Sequence, residues 1–228
     1  MARPKRIDQT DLLNEIKTTA WQQIAENGAA ALSLRAIARA LHITAPAIYN
    51  YYPSRDDLVT ALIVDAFISM GDAQFAAVQA APAGDHCERL MALGLAYRQW
   101  AVTYPQRYQL IFGTPIPGYH APLEITDPAA SRSLAPLIDC LDAACQAGNL
   151  RIAQAEEIPE GLRQQLQVFG QVHPVQHFFV LYAALAAWSR VHGLVSLEIA
   201  NQFPPFIEDI QVIYQLQLGR LIDETLIP

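Results

Sequence analysis

Charged side chains are sparse in this chain, at 16% of 228 residues, against 52% hydrophobic residues. A long disordered tail is therefore excluded and a sizeable packed core is expected, because the chain carries ample apolar surface to bury. Cysteine is rarer still: Cys87, Cys140 and Cys145 are spaced for neither a zinc knuckle nor a disulfide framework and read as reduced thiols in helices. Long apolar runs are also missing. The stretch from Phe178 to Trp188 stops well short of the ~20 residues of a membrane span, with Arg190 and His192 close behind, so no membrane partner is expected. Nor does an apolar segment with a cleavage site follow the opening Met-Ala-Arg-Pro-Lys-Arg-Ile-Asp, which predicts a cytoplasmic location. There is no G-x-S-x-G elbow, P-loop, dinucleotide fingerprint or H-E-x-x-H, so neither an enzyme nor a bound cofactor is expected.

What charge there is lies unevenly. The net charge is −7, which by itself disfavours a polyanionic partner. Residues 1–60 nevertheless hold seven bases and six acids, leaving eight bases and sixteen acids in the remainder. An acidic body with a nearly neutral head and a basic tip would turn that head toward DNA.

Periodicity is helical throughout. Leu13, Ile16, Ala20 and Ile24 recur at three- and four-residue steps before Gly28, which predicts a helix over about 8–27 with a left-handed stop. Ser33 caps a second helix over about 34–41, whose apolar face is Leu34, Ile37, Ala38 and Leu41. Thr44 caps a third over about 45–51, with Pro46 in the first turn where its missing N–H costs nothing. Ser54 opens a fourth over about 55–79, with Asp56 and Asp57 at the positive end of its dipole. Further helices are expected over about 85–103, 105–112, 127–148, 159–170, 174–197 and 204–225. The Pro- and Gly-rich residues 113–126 read as a loop over one end of the larger domain. The expected fold is all-α, with a helix-turn-helix domain over 1–54 and a larger helical-bundle domain over 55–228.

The stretch from Leu32 to Leu58 resembles the DNA-binding region of the TetR family: a capped second helix, then a short recognition helix ending in Ile48-Tyr49 and Tyr52, then Ser54-Arg55 opening helix four. Pro53 stands where the family usually has Lys, which removes one phosphate contact. On the third helix, Ile48 and Tyr52 face the bundle with Ile43, leaving Ala45, Pro46, Tyr49 and Asn50 outward. Asn50 suits base edges, Ala45 and Pro46 suit thymine methyls, and the Tyr49 hydroxyl suits a phosphate. Arg35 is placed to read a guanine or hold the backbone. Thr44, Tyr51 and Arg55 are candidate phosphate contacts, and Arg3, Lys5 and Arg6 a basic arm for the minor groove.

Trp188-Ser-Arg-Val-His192-Gly193 and Tyr104-Pro-Gln-Arg-Tyr108 are similar to elements of one TetR C-terminal subfamily, the Trp-His-Gly group. This resemblance implies a homodimer formed by the helices at about 174–197 and 204–225. The breadth of their apolar faces (Phe178, Phe179, Leu181, Tyr182, Leu185; Phe206, Ile210, Ile213, Tyr214, Leu216, Leu221) also implies a partner. The resemblance further implies a small-molecule effector among the central helices, for which Met91, Tyr97, Trp100, Tyr104, Phe112, Cys140, Trp188 and His192 are candidate lining.

A ligand-responsive repressor of a palindromic operator follows, with the long fourth helix and the 113–126 loop as its couplers. Two alternatives stay open. One is a ligand-sequestering protein with a vestigial head. The other is a metal-responsive regulator built on His173 and His177, four apart in a helical stretch but without an evident third ligand; Asp139 and Asp142 read as a solvated face.

Overall fold

A computed structural model describes residues 9–152 and 158–227. Arg3, Lys5 and Arg6 lie outside the described residues. Among those described, the chain forms ten α-helices and no strand beyond one isolated bridge, Leu150 to Leu226. Packing divides it into two units: residues up to Phe67 with Tyr104–Ala129, and Ile68–Thr103 with the residues from Ala130 onward.

The first unit is built on short helices closed by local bonds. Helix α1 (Gln9–Asn27) stops at Gly28, whose φ of 78° admits no side chain cheaply. After a 3-10 turn at Ala29–Ala31, the Ser33 hydroxyl accepts the Ala36 N–H at 3.4 Å and opens α2 (Leu34–Ala40). That helix ends in a Schellman motif: Ile43 N–H donates to Ala38 O at 2.9 Å and His42 N–H to Arg39 O at 3.2 Å, with His42 left-handed at φ 55°. The Thr44 hydroxyl accepts the Ala47 N–H at 3.3 Å and opens α3 (Ala45–Tyr49). Ser54 and Asp57 cap α4 (Arg55–Ala80) reciprocally, the Ser54 N–H donating to Asp57 Oδ2 at 2.8 Å and the Asp57 N–H to Ser54 Oγ at 3.2 Å.

These helices close over a core that includes Ile16, Ile37, Ile48, Leu58 and Leu62, none of which is exposed at all. The Lys17 ammonium meets Asp65 at 2.6 Å and ties α1 to α4. Helix α6 (Pro105–Phe112) joins this unit through the Arg107 guanidinium, 5.3 Å from the Trp21 ring, and through Phe112, edge-on to Phe67 at 5.9 Å. The loop beyond it joins too. Ile116 is buried in the head core, and the Tyr119 hydroxyl lies 2.9 Å from Thr60 Oγ1. The expectation of a loop over the larger domain is corrected by these two anchors, and the head unit takes in residues beyond the 1–54 expected from sequence.

The second unit packs the later part of α4 with α5 (His86–Thr103), α7 (Leu123–Gln146) from Ala130, α8 (Glu160–Gly170), α9 (Phe179–Ile199) and α10 (Ile210–Thr225). Helices α5 and α10 approach at Gly94. A Cβ there would stand 2.6 Å from Leu218 Cδ2, and the Tyr214 hydroxyl donates to Gly94 O at 2.5 Å. Arg98 grips Glu198 with two parallel bonds, its Nε reaching Oε2 at 2.8 Å, which fastens α5 to α9.

Three helix starts differ from the periodicity. Helix α7 begins four residues before the expected 127, because Pro122 O accepts Ile125 and Thr126 N–H and builds a turn ahead of Pro128. Helix α9 begins at Phe179, after residues that turn rather than coil, and His177 Nδ1 takes up the Phe179 N–H at 3.2 Å. Helix α10 waits until Ile210, where Asp209 accepts the Val212 N–H at 3.1 Å; Pro205 disfavours the helical conformation at Pro204 before it, which opposes a start at the expected 204. Helices α4 and α9 are long and apolar enough to cross a membrane by length and composition alone. Part of each apolar face is core here, with Leu58 and Leu62 in one and Val180 and Val195 in the other, while Phe75, Leu185 and Leu197 stay exposed.

Candidate DNA-binding surface and effector cavity

Helix α3 is only five residues long and sorts its side chains sharply. Ile48 is fully buried and Tyr52, just beyond, nearly so, while Ala45, Pro46, Tyr49 and Asn50 are exposed, along with Thr44 at the cap and Arg35 on α2. Six of the candidate DNA contacts therefore stand free on the helix-turn-helix. Two others are partly committed to the fold. Tyr51 is half-buried against the head core. Arg55 donates from Nη2 to Ala29 O at 3.2 Å and Ala30 O at 3.3 Å, clamping the turn between α1 and α2. Its place at the start of α4 gave the phosphate expectation; the two carbonyls are distant in sequence and left no signal. Burial, with Asp65 adding to it, pushes the Tyr52 phenol up to about 12, so this ring is a neutral packing element.

In the second unit the helices line an open-mouthed cavity of about 480 Å³, measured out to its mouth. Leu90, Leu93, Leu137, Leu141, Val191 and Leu218 supply hydrocarbon wall, and Gln74, Tyr97, Trp188 and Thr225 its polar and aromatic points. The Tyr97 hydroxyl is 2.9 Å from His192 Nδ1, the His192 ring stacks on Trp188 at 4.8 Å, and Ser196 Oγ is 3.3 Å from Nε2. Burial holds the His192 pKa below the ordinary histidine value.

The structure lines this cavity with Tyr97 and Trp188 and sets His192 against both of them, outside the lining itself. It does not bring the other five candidates there. Trp100 is buried in the same unit, its Nε1–H donating to Ser69 Oγ at 3.0 Å, and Met91 reaches toward Gly219. Cys140 is buried core, its thiol pushed up to about 11 chiefly by burial. Tyr104 and Phe112 belong to the first unit: Arg107 covers the Tyr104 ring at 4.5 Å, and Phe112 packs on Tyr108 and Phe67. Aromatic character does not record which core a ring fills. Conversely, Gln74 and Thr225 escaped notice, although a glutamine in the apolar later half of α4 is a signal in itself.

His173 and His177 fall between α8 and α9 rather than on a helix, which removes the spacing argument for a metal site. His177 caps α9, and burial lowers the pKa of His173 while Asp139 partly offsets it. Among the described residues no group of three metal-ligating side chains gathers.

Comparison with known proteins places this geometry. Residues 16–62 match the family model of the bacterial regulatory proteins of the tetR family, and residues 90–221 match the tetracyclin repressor-like C-terminal domain. The HTH-type transcriptional regulators Rv1816 of Mycobacterium tuberculosis and Mb1846 of Mycobacterium bovis are each 34% identical over 209 residues, covering 88% of this chain and 86% of their own. A solved structure described as a regulatory protein, SCO4313, superposes with a TM-score of 0.77 at 37% identity, covering 98% of this chain and 100% of its own. A Rhodococcus sp. RHA1 protein described as of unknown function shares the fold alone, with a TM-score of 0.74 at 19% identity over 98% of this chain and 99% of its own. With an exposed recognition helix on a buried Ile48, an all-helical second unit and both family matches, the chain belongs to the TetR family of transcriptional regulators.

Proposed function

We propose that this regulator is a homodimeric repressor that leaves a palindromic operator when a small apolar effector occupies the second unit. The observation that carries the DNA half is the division of α3 into buried Ile48 and outward Tyr49 and Asn50. Tyr49 and Asn50, with Ala45 and Pro46, enter the major groove; Arg35, Thr44 and Tyr51 hold phosphates, and Arg3, Lys5 and Arg6 reach the minor groove. Arg55 adds to that grip only with the part of its guanidinium not spent on the Ala29 and Ala30 carbonyls. Binding to chromosomal DNA places the protein in the cytoplasm.

The dimer forms through α9 and α10, the Trp188-His192-Gly193 element lying on the first of these. Phe179, Leu181, Tyr214 and Leu221, which the apolar count assigned to an interface, are buried within the protomer. What remains exposed is a line of Leu185, Ser189, Gly193 and Leu197 on α9, with Val212 and Leu216 on α10. Leucines flanking small residues let two helices approach closely, and a two-fold pair of heads matches half-sites about one DNA turn apart. The effector acts by population shift, favouring a dimer whose heads no longer fit that spacing.

The test is selection of bound fragments from random duplex DNA, repeated with Tyr49→Ala plus Asn50→Ala. A two-fold-related site that the double variant loses is the expected result. Failure to enrich any site with the unaltered protein would sink the regulator function and favour a ligand-sequestering protein.

A further inference from the structure

We infer that the cavity of the second unit takes an uncharged, largely hydrocarbon molecule bearing a hydroxyl or N–H group, which donates to the amide oxygen of Gln74. This rests on the effector function proposed above and specifies the chemistry of its ligand.

The argument begins with what the wall lacks. Among the described residues, Gln74, Tyr97, Trp188 and Thr225 are the only lining residues with polar side chains, and no Lys, Arg, Asp or Glu lines the cavity. A carboxylate or ammonium entering such a place would lose its hydration and meet no countercharge, a cost that hydrocarbon contacts do not offset. The occupant is therefore neutral.

The polarity of its functional group follows from the orientation of Gln74, which is 4% exposed. The Gln74 Nε2 donates to Met70 O at 3.3 Å and to Ser133 O at 3.2 Å. Both partners are backbone carbonyls, which only accept, so the amide nitrogen is fixed toward them by chemistry and not by a choice of labels. Its two hydrogens are thereby used, and Oε1, an acceptor, is the amide atom left to meet an occupant. Thr225 is set the same way. Its hydroxyl donates to Leu221 O at 2.6 Å, which leaves the lone pairs of Oγ1 as what it offers a neighbour. The Tyr97 hydroxyl is engaged with His192 Nδ1. With the Trp188 ring stacked on His192, Gln74 and Thr225 are the lining groups whose own hydrogens are accounted for, and both present acceptors: an ether or ester oxygen set against them would bring lone pairs against lone pairs. A donor removes that repulsion and satisfies a buried oxygen at once.

The probes are 1-decanol, its methyl ether and decanoate, titrated calorimetrically into the full-length protein. The chain length is common, and only the head group changes from donor to acceptor to anion. The alcohol should bind about tenfold or more tightly than either of the others, the difference one satisfied buried hydrogen bond makes. In Gln74→Leu the preference for alcohol over ether should disappear while ether affinity is kept or improved, with thermal melting to verify the fold. Thr225→Val, which leaves the bonds from Gln74 to Met70 and Ser133 intact, should reduce the preference partially. Decanoate or the ether binding as tightly as the alcohol would overturn the donor assignment and leave the effector function standing. Binding by none of the three would overturn the effector role of this cavity, and the donor assignment with it.

Discussion

In the head, α2 and α3 have seven and five residues, and each begins on a hydroxyl that bonds back to the helix. In the second unit, α9 has 21 residues; its N-cap Phe178 makes no side-chain bond, and a single bond from the Phe179 N–H to His177 Nδ1 marks its start. Helices of one or two turns are unstable alone, so the head specifies them with caps, a Schellman stop and a small core reached by single residues such as Ile48. A long apolar helix such as α9 carries similar devices at its ends but depends on them less, because packing against its neighbours fixes it. The DNA-facing surface is therefore written locally, in residues adjacent in sequence. The cavity of the second unit is written in side chains as far apart as Gln74 and Thr225, which only tertiary packing brings to one wall.

The sharpest way to separate the two regions is Gly193→Arg. A Cβ at Gly193 would meet nothing within 4 Å, so the protomer should fold and melt as before, helped by the better helix propensity of arginine. An interface through α9 would be blocked. Sedimentation should show a monomer, and operator affinity should fall about a hundredfold or more through lost bivalency. A dimer that persists would move the interface elsewhere. Next in size is Ile48→Ala, which empties a fully buried site in the head and should cost about 2–5 kcal/mol. Chemical denaturation followed by tryptophan fluorescence should gain an early phase from Trp21 in the head, with Trp100 and Trp188 reporting the second unit at its usual midpoint.

The same contrast decides how much could be read in the sequence. Gly28, Ser33, Thr44 and Ser54 each announce a helix boundary within a few residues, and all four do what their chemistry suggests. The inward Ile48 and outward Tyr49 and Asn50 followed from helical geometry alone. Tyr104 and Phe112 look like cavity aromatics yet pack in the head, because periodicity says that a ring is buried without saying in which core. The helix expected from about 127 begins at Leu123, because a turn at Pro122 precedes it. The apolar faces of α9 and α10 were seen, yet not how much of each the protomer itself consumes, with Tyr214 claimed by Gly94 and Leu185 left outside.

Smaller perturbations refine the comparison. Ser54→Ala removes one side of the reciprocal cap with Asp57 and should cost the head about 1 kcal/mol in equilibrium unfolding. The second unit should respond instead to acid. Burial holds the His192 pKa below that of the unfolded chain, and His173 moves in the same direction. As pH falls through the unfolded histidine value of about 6.5, the unfolded state takes up protons first and stability declines; the decline ends below the folded value. Melting between pH 7.5 and 5.5 should show this loss, and His192→Gln should flatten it. An unchanged slope would mean that His192 takes up its proton equally well folded and unfolded.

The smallest effect expected distinguishes two helix ends of the same design. His42 follows α2 at φ 55° and Asn201 follows α9 at φ 53°, and each end carries the crossed pair of bonds of a Schellman motif. A left-handed residue with a Cβ is strained by about 1–2 kcal/mol, and glycine relieves that strain at a cost of about 0.4–1 kcal/mol in unfolded-chain entropy. His42→Gly should therefore stabilise the head by several tenths of a kcal/mol. Asparagine already tolerates this conformation through its short polar side chain, so Asn201→Gly should gain little or lose slightly. Paired urea titrations of the two variants test the difference directly. Equal gains at both ends would mean that the backbone alone sets the strain, whereas a gain confined to His42 would mean that the turn of the helix-turn-helix keeps a suboptimal residue.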